Sequence, residues 1–424
     1  MSRSRKLSLT AAIFTNINIM AGAGIFINMV LLTKLTGILG ATAYLTIGIF
    51  MLPLIKTIAE LVKIHPEGGF YAFAQPISPF LGFLNCWTYF FSKLASTSLV
   101  LYVSATFLKQ LFPHVLSSVP TIPLSIGILA LFTYANLFNL DIGSSIQKIF
   151  FGAKAIPIAG IVLLGLFNCS GTPLTIKTEH IANLSTVIPL ALYCLAGFEA
   201  ACALSRTIKN PKVNGPKAIF YSFFILIGTY TVFQLIVAAG LLKHLSYISS
   251  YQDAIPALMS NTNFTPSIVS KLTSFLNLCI VISTLGGAYG MLFSNQWNLY
   301  TLAEHNHIPG SSYITQLNSQ EIPTIAVLAE SFICILYLML TQGNQIPLQQ
   351  MAALGAAIAY TISTVSFLMQ RPTKNAFAWL ALITCSGFII SSIISSITYS
   401  LSSLALFCGM FIIGMISYQI SNRS

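Results

Sequence analysis

Five ionisable side chains fall within long apolar stretches of the chain: Lys56, Lys93, Lys154, Glu199 and Glu330. In hydrocarbon such a group must be paired, neutral, water-facing or long enough to reach an interface. Lys154 is the sharpest case, about ten residues into its apolar stretch, roughly 14 Å along a helix at 1.5 Å per residue. It suits an ammonium that loses its proton readily, a fixed structural charge, or a stem that snorkels to the cytoplasmic face. Glu199 lies just past Gly197 and either ties two helices together or faces a polar cavity. Lys93 meets an anionic group or reaches the cytoplasmic face. Lys56 reads as scaffold, and Glu330 is assigned no role.

A second kind of chemistry belongs to the backbone. The stretch Ile19-Met20-Ala21-Gly22-Ala23-Gly24-Ile25-Phe26 sits inside an apolar run over about 9–32. Glycines one residue apart each weaken a helix by roughly 1 kcal/mol relative to alanine, and an opened helix in lipid leaves backbone groups without partners. A small charged solute can supply them: the amides of Gly22, Ala23, Gly24 and Ile25, opening a second half-helix, would form an anion site. Close packing against another helix also explains the glycines. The basic Arg3, Arg5 and Lys6 followed by Ala21-Gly22-Ala23 have the pattern of a signal peptide, but the apolar spans that follow argue against one. A second interruption, Leu195-Ala196-Gly197-Phe198-Glu199-Ala200, comes roughly 170 residues later. Two broken helices in corresponding positions point to a binding site at the bilayer midplane.

The elements that must hold these residues are membrane helices. Of 424 residues 55% are hydrophobic and 7% charged, and the mean hydropathy is +0.82, which excludes a soluble globular chain. The apolar runs do not alternate, so a transmembrane barrel is excluded as well. Twelve spans are expected, at about 9–32, 38–63, 80–109, 121–139, 145–168, 184–204, 217–242, 269–303, 323–341, 349–370, 376–397 and 400–420. They form a single transmembrane domain over 1–424, with a first half over about 9–168, a second over about 184–370 and two C-terminal helices over about 376–420. Of the 20 Lys and Arg, against nine Asp and Glu, all but Lys56, Lys93 and Lys154 sit in or beside short loops and tails rather than in one basic block, so they read as a topology signal and not as nucleic-acid binding. With the N-terminus inside, twelve of them are cytoplasmic and five (Lys34, Lys109, Lys177, Lys243 and Lys271) lie outside, which puts both termini in the cytoplasm. The eight cysteines show no C-x-x-C, no histidines stand at ligand spacing, and no metal or cofactor is expected. No H-E-x-x-H, Gly-x-Ser-x-Gly or paired aspartates occur within the spans, which disfavours an intramembrane enzyme.

Five segments resemble the amino acid–polyamine–organocation (APC) superfamily. Met20 to Phe26 is similar to the G-S-G-I-F element of its first helix. Ala59-Glu60-Leu61 with Pro66 to Phe73 resembles its A-E-L … P-x-G-G-x-Y-x-Y segment, and Phe151 to Pro157 its fifth helix. Gly197-Phe198-Glu199 with Lys209-Asn210-Pro211 matches its G-F-E … K-N-P run, and Leu299 to Ala303 with Ile308-Pro309 the end of its eighth helix. The segments stand in order over residues 10–325.

The resemblance implies an all-α LeuT-type fold, a 5+5 inverted repeat with discontinuous helices 1 and 6 plus two peripheral helices, working by alternating access. It implies that a substrate carboxylate meets the amides of the first break and its ammonium the carbonyls of Tyr193 and Ala196, near Gly197. In several sodium-independent members a lysine in the position of Lys154 stands where sodium binds in relatives. Glu199 is expected near the outer gate with Tyr89 and Tyr360, Tyr193 as an aromatic lid, and Ser96, Thr97 and Met291 where side-chain selectivity is set, although hydroxyls in a helix often bond only their own turn. The chain departs from the pattern at Ile19, at Ala23 in place of the serine, at Trp297 in place of an arginine, and at Glu304.

The function expected is proton-coupled uptake of a neutral amino acid across the cytoplasmic, bacterial inner, membrane, with the lipid bilayer as the surrounding partner. The alternatives are an obligate exchanger of amino acids, or of an amino acid against its amine, and a non-transporting sensor, disfavoured by the lack of an added soluble domain. Nothing in the sequence sets an oligomeric state.

Overall fold

The computed structural model describes residues 8–66, 69–138, 140–168, 176–203, 208–260, 262–371 and 375–422. Among them the regular structure is helical: α1 Leu9–Met20, α2 Gly24–Thr36, α3 Leu39–Ile64, the short α4 Phe70–Ala74, α5 Pro79–Leu111, α6 Pro113–Leu116, α7 Thr121–Asn136 and α8 Leu140–Asn168. There follow α9 Thr178–Ala182, α10 Leu184–Leu195, α11 Ala200–Ala203, α12 Pro211–Leu241, α13 Ala254–Met259, α14 Pro266–Glu304, α15 Ser311–Ile314, α16 Thr324–Thr341, α17 Gln345–Gln370, α18 Ala376–Tyr399 and α19 Leu401–Ser421.

Local chemistry sets the ends. Ser8 caps α1 by accepting from the Ala11 amide at 3.2 Å. Ser78 caps α5 through the Leu81 amide at 3.1 Å, with Pro79 next, a position where the missing N–H has no helical partner to lose. Pro211 and Pro266 open α12 and α14 in the same way. Several helices outrun their apolar windows, because hydropathy marks only the lipid-facing middle: α12 begins at Pro211 and α17 at Gln345. The apolar run over 9–32 divides into α1 and α2, whose axes bend by 48°. The stretch 184–204 divides into α10 and α11, and residue 204 lies outside the described residues.

Eight helices, nine with the bent α1–α2 pair, are long and apolar enough to cross a membrane among the described residues, while Thr121–Asn136, Lys154–Asn168 and Thr186–Leu195 are shorter apolar stretches. The outer surface carries large apolar side chains such as Phe332, Ile383 and Leu401, each more than 60% exposed, whereas Asn16, Asn28, Gln234, Asn295 and Gln349 are buried. Such an arrangement suits lipid as the solvent, where apolar surface is free to face outward and polar groups must find partners inside. The centre is α5, packed between α14 and α17. The breaks of α1–α2 and α10–α11 lie beside it.

Candidate functional site

The first break is made by Ala21, Gly22 and Ala23, between the last residue of α1 and the first of α2. Ala21 and Gly22 turn back onto Ile17 and Met20, while among the described residues the amides of Ala23, Gly24 and Ile25 donate no backbone hydrogen bond and α2 has no side-chain cap. These amides form the positive end of a half-helix. Glycine is needed at the close approach: a Cβ on Gly24 would stand 2.8 Å from Cys194 Sγ and 3.2 Å from the Tyr193 ring.

Those two neighbours belong to the second break. α10 ends at Leu195, Ala196 is extended, and Gly197 has φ +104, a conformation an L side chain rarely adopts. The carbonyls of Tyr193, Cys194, Leu195 and Ala196 accept no hydrogen bond in the described structure outside the helix itself, so the end of α10 is a negative pole. Both breaks are held by polar side chains. Asn16 donates to the Phe198 carbonyl at 3.0 Å and to Ser222 Oγ at 2.6 Å. Asn28 donates to the Leu190 carbonyl at 3.2 Å and accepts from Gln345 and Gln349 at 2.9 and 3.0 Å.

Between the breaks lies a cavity of about 530 Å³, counted with its mouth. Its walls include Gly22 and Gly24 of the first break, Tyr193, Cys194 and Ala196 of the second, Tyr89, Ser92, Lys93 and Ser96 of α5, Met291 of α14 and Ala352 and Ala356 of α17. Ser96 Oγ lies 3.3 Å from the Tyr193 hydroxyl and 3.4 Å from Met291 Sδ, which ties three walls together.

Glu199, 1% exposed, is bonded at both of its oxygens. Oε1 accepts from the Tyr89 hydroxyl at 2.8 Å, Oε2 accepts from the Tyr360 hydroxyl at 2.8 Å and from the Gly197 amide at 2.9 Å, and the Lys93 ammonium stands 3.7 Å from Oε1. The carboxylate therefore joins α5, α17 and the second break. Behind the first break, buried Lys154 donates from Nζ to the Ala21 carbonyl, and a Cβ on Gly287 of α14 would lie 3.8 Å from that ammonium.

Not every residue singled out from sequence lines the cavity. Thr97 is buried and its hydroxyl donates to the Lys93 carbonyl at 2.9 Å, one turn back, because the helical rotation that aims Ser96 inward turns Thr97 aside. Ala23 and Ile25 are buried in the core, so only their amides are relevant, and Gly197 acts through its backbone. Lys56 does not stay solitary: its ammonium lies 3.4 Å from the centre of the Phe377 ring. Glu330 is buried on α16, away from these walls. Sequence reasoning passed over Ser92, Cys194, Ala352, Asn16 and Asn28. For the two asparagines a signal existed, since an amide inside an apolar span seeks a backbone partner.

At the helix end past α14, buried His307 bonds the Tyr71 hydroxyl through Nε2 at 2.8 Å, and the His305 ring stacks on Tyr71 at 4.1 Å. Burial pushes the Tyr71 phenol up to about 12. Burial and then His305 hold His307 below the usual histidine range.

Two interrupted helices border one cavity of an apolar helical bundle, the architecture of a multi-pass membrane protein with a polar site at its breaks. Residues 7–421 match the amino acid permease family, and the chain belongs to it, within the APC superfamily. It is 23% identical over 300 residues to an uncharacterized transporter of Legionella pneumophila, covering 67% of this chain and 63% of that one. It is 23% identical to the mouse Asc-type amino acid transporter 1, covering 76% and 62%, and 23% identical to a general amino-acid permease of Candida albicans, covering 72% and 53%. The chain thus spans about half to two thirds of the length of these relatives.

Proposed function

We propose that the protein is a secondary active transporter that brings a neutral amino acid across the cytoplasmic membrane together with a proton. The observation that carries this reading is the pairing of poles across one cavity: free amides at the start of α2 and free carbonyls at the end of α10. A zwitterion fits there, its carboxylate on the amides of Ala23, Gly24 and Ile25 and its ammonium on the carbonyls of Tyr193 and Ala196, with both charges satisfied. Gly22, also expected among the donors, spends its amide on the Met20 carbonyl at 2.8 Å. Ser96 and Met291 would meet the side chain. The twelve-span LeuT-type arrangement, with repeats over about 9–168 and 184–370 and two peripheral helices, is part of the same proposal.

With both termini cytoplasmic, α1 and α11 are the cytoplasmic halves of the broken helices. The Glu199–Tyr89–Tyr360 cluster then closes the cytoplasmic side of the site rather than the outer gate expected from the resemblance. Lys154 is the coupling group in this reading: its ammonium bonds the carbonyl at the first break, so losing its proton would loosen that break. The same contact favours a second reading, in which Lys154 is a fixed charge and the protein is an obligate exchanger.

Uptake of labelled amino acids into proteoliposomes separates these readings. Wild-type uptake into empty vesicles should need an inward proton gradient, and Lys154→Ala should lose that dependence. Uptake only into vesicles preloaded with amino acid would instead identify an exchanger.

A further inference from the structure

Lys93 lines the cavity from α5, and the roles proposed above leave it without a task. Its ammonium stands 3.7 Å from Glu199 Oε1 and 5.6 Å from the centre of the Tyr89 ring. Charge-assisted N–H···O bonds are about 2.7–2.9 Å long. The near positions around the carboxylate are already filled by two phenols and the Gly197 amide. Lys93 therefore balances the charge of Glu199 without being consumed by it. An ammonium has three donors, and 11% of this side chain remains open, in a wall shared with Ser92 and Ser96. The Ser92 hydroxyl is turned onto its own helix, donating to the Thr88 carbonyl at 2.6 Å.

We propose that Lys93 is a specificity-determining residue that selects a neutral amino acid whose side chain ends in a hydrogen-bond acceptor, an amide or a hydroxyl, as in glutamine or serine. The inference rests on the cavity being the amino acid site. The charges around the void set the class. Lys93 and Glu199 cancel, so a neutral acceptor can take a donor from the ammonium without adding a net charge. A carboxylate side chain would bring a second anion up to Glu199, a cationic one would face Lys93, and an aliphatic one would cover the donors without satisfying them. Tyr89 and Tyr193 are the other titratable groups on these walls besides Cys194, and Lys154 stands behind the first break.

Equilibrium binding of labelled glutamine, serine, leucine and aspartate to the purified full-length protein in detergent tests this. Wild type should prefer glutamine or serine over leucine by tenfold or more. Lys93→Arg, which keeps donors, should retain the preference. The pair Lys93→Met with Glu199→Gln, which strands no charge, should lose it. Preference of the wild type for leucine or aspartate overturns the inference while leaving the amino acid site standing, as does an unchanged glutamine-to-leucine ratio in the Met–Gln pair. Failure of all four to bind a monodisperse, helical wild-type sample overturns the reading of the cavity and this inference with it.

Discussion

Replacing Glu199 by glutamine keeps the shape of the side chain and removes its charge, which makes it a clean probe of the cluster that joins α5, α17 and the second break. Three donors bond the carboxylate, Tyr89, Tyr360 and the Gly197 amide, and the Lys93 ammonium stands 3.7 Å from Oε1. Glutamine has one acceptor oxygen and an amide NH2 that can only donate. If NH2 replaces Oε2 it faces the Gly197 N–H, which cannot turn away; if it replaces Oε1 it faces the Lys93 ammonium. The phenols can rotate to accept in either case. One obligate donor is therefore left unmet, at about 1–3 kcal/mol, and the remaining bonds lose their charge assistance. The total expected is about 2–4 kcal/mol. The assay is unfolding by SDS titration in mixed micelles, for Glu199→Gln, Tyr360→Phe and the double variant. Tyr360→Phe alone should destabilise by about 1.5–3 kcal/mol, and the double variant should fall short of additivity by at least about 0.5 kcal/mol. Wild-type stability in Glu199→Gln, or strict additivity, would refute the reasoning.

The glycines of the first break should respond unequally to alanine: at Gly24 the new methyl meets Cys194 Sγ at 2.8 Å, at Gly22 it meets Met291 Cε at 3.6 Å. Amino acid affinity should therefore drop at least tenfold more in Gly24→Ala than in Gly22→Ala, and equal losses would count against the close approach of the two breaks. The His307–Tyr71 contact should give an acid-sensitive stability. His307 is held below the usual range by burial and by His305, so folding releases its proton. Its contribution is whole above about pH 6.5 and is lost as the pH falls through the lower folded value. The imidazolium carries a hydrogen on both ring nitrogens, and buried Nδ1 has no partner among the described residues. Melting temperature measured from pH 7.5 to 5 should fall more steeply for wild type than for His307→Gln, and parallel curves would rule this contact out as the source.

The helix breaks were legible because glycine in a lipid-embedded helix is conspicuous, and two such sites in register with Glu199 and Lys154 narrowed the chemistry further. Tyr89 and Tyr360 became legible only through the family resemblance, since nothing local ties residue 360 to residue 199. Side-chain direction was not legible. Ser96 and Thr97 are neighbours of like chemistry, yet one lines the cavity and the other bonds its own helix, a difference set by how α5 is rotated against its neighbours. The contact of Lys93 with Glu199 depends on that same rotation. Span ends were misplaced where a proline or a polar cap carries a helix beyond its apolar middle, as at Pro211 and Gln345.

The central claim is that the cavity between the breaks holds a zwitterion by both of its charges. Once an amino acid that binds has been found, competition by its methyl ester and by its decarboxylated amine tests this most directly. Both analogues should compete at least a hundredfold more weakly than the parent, because each leaves one set of backbone poles unmatched. Equal competition by either analogue would contradict the account.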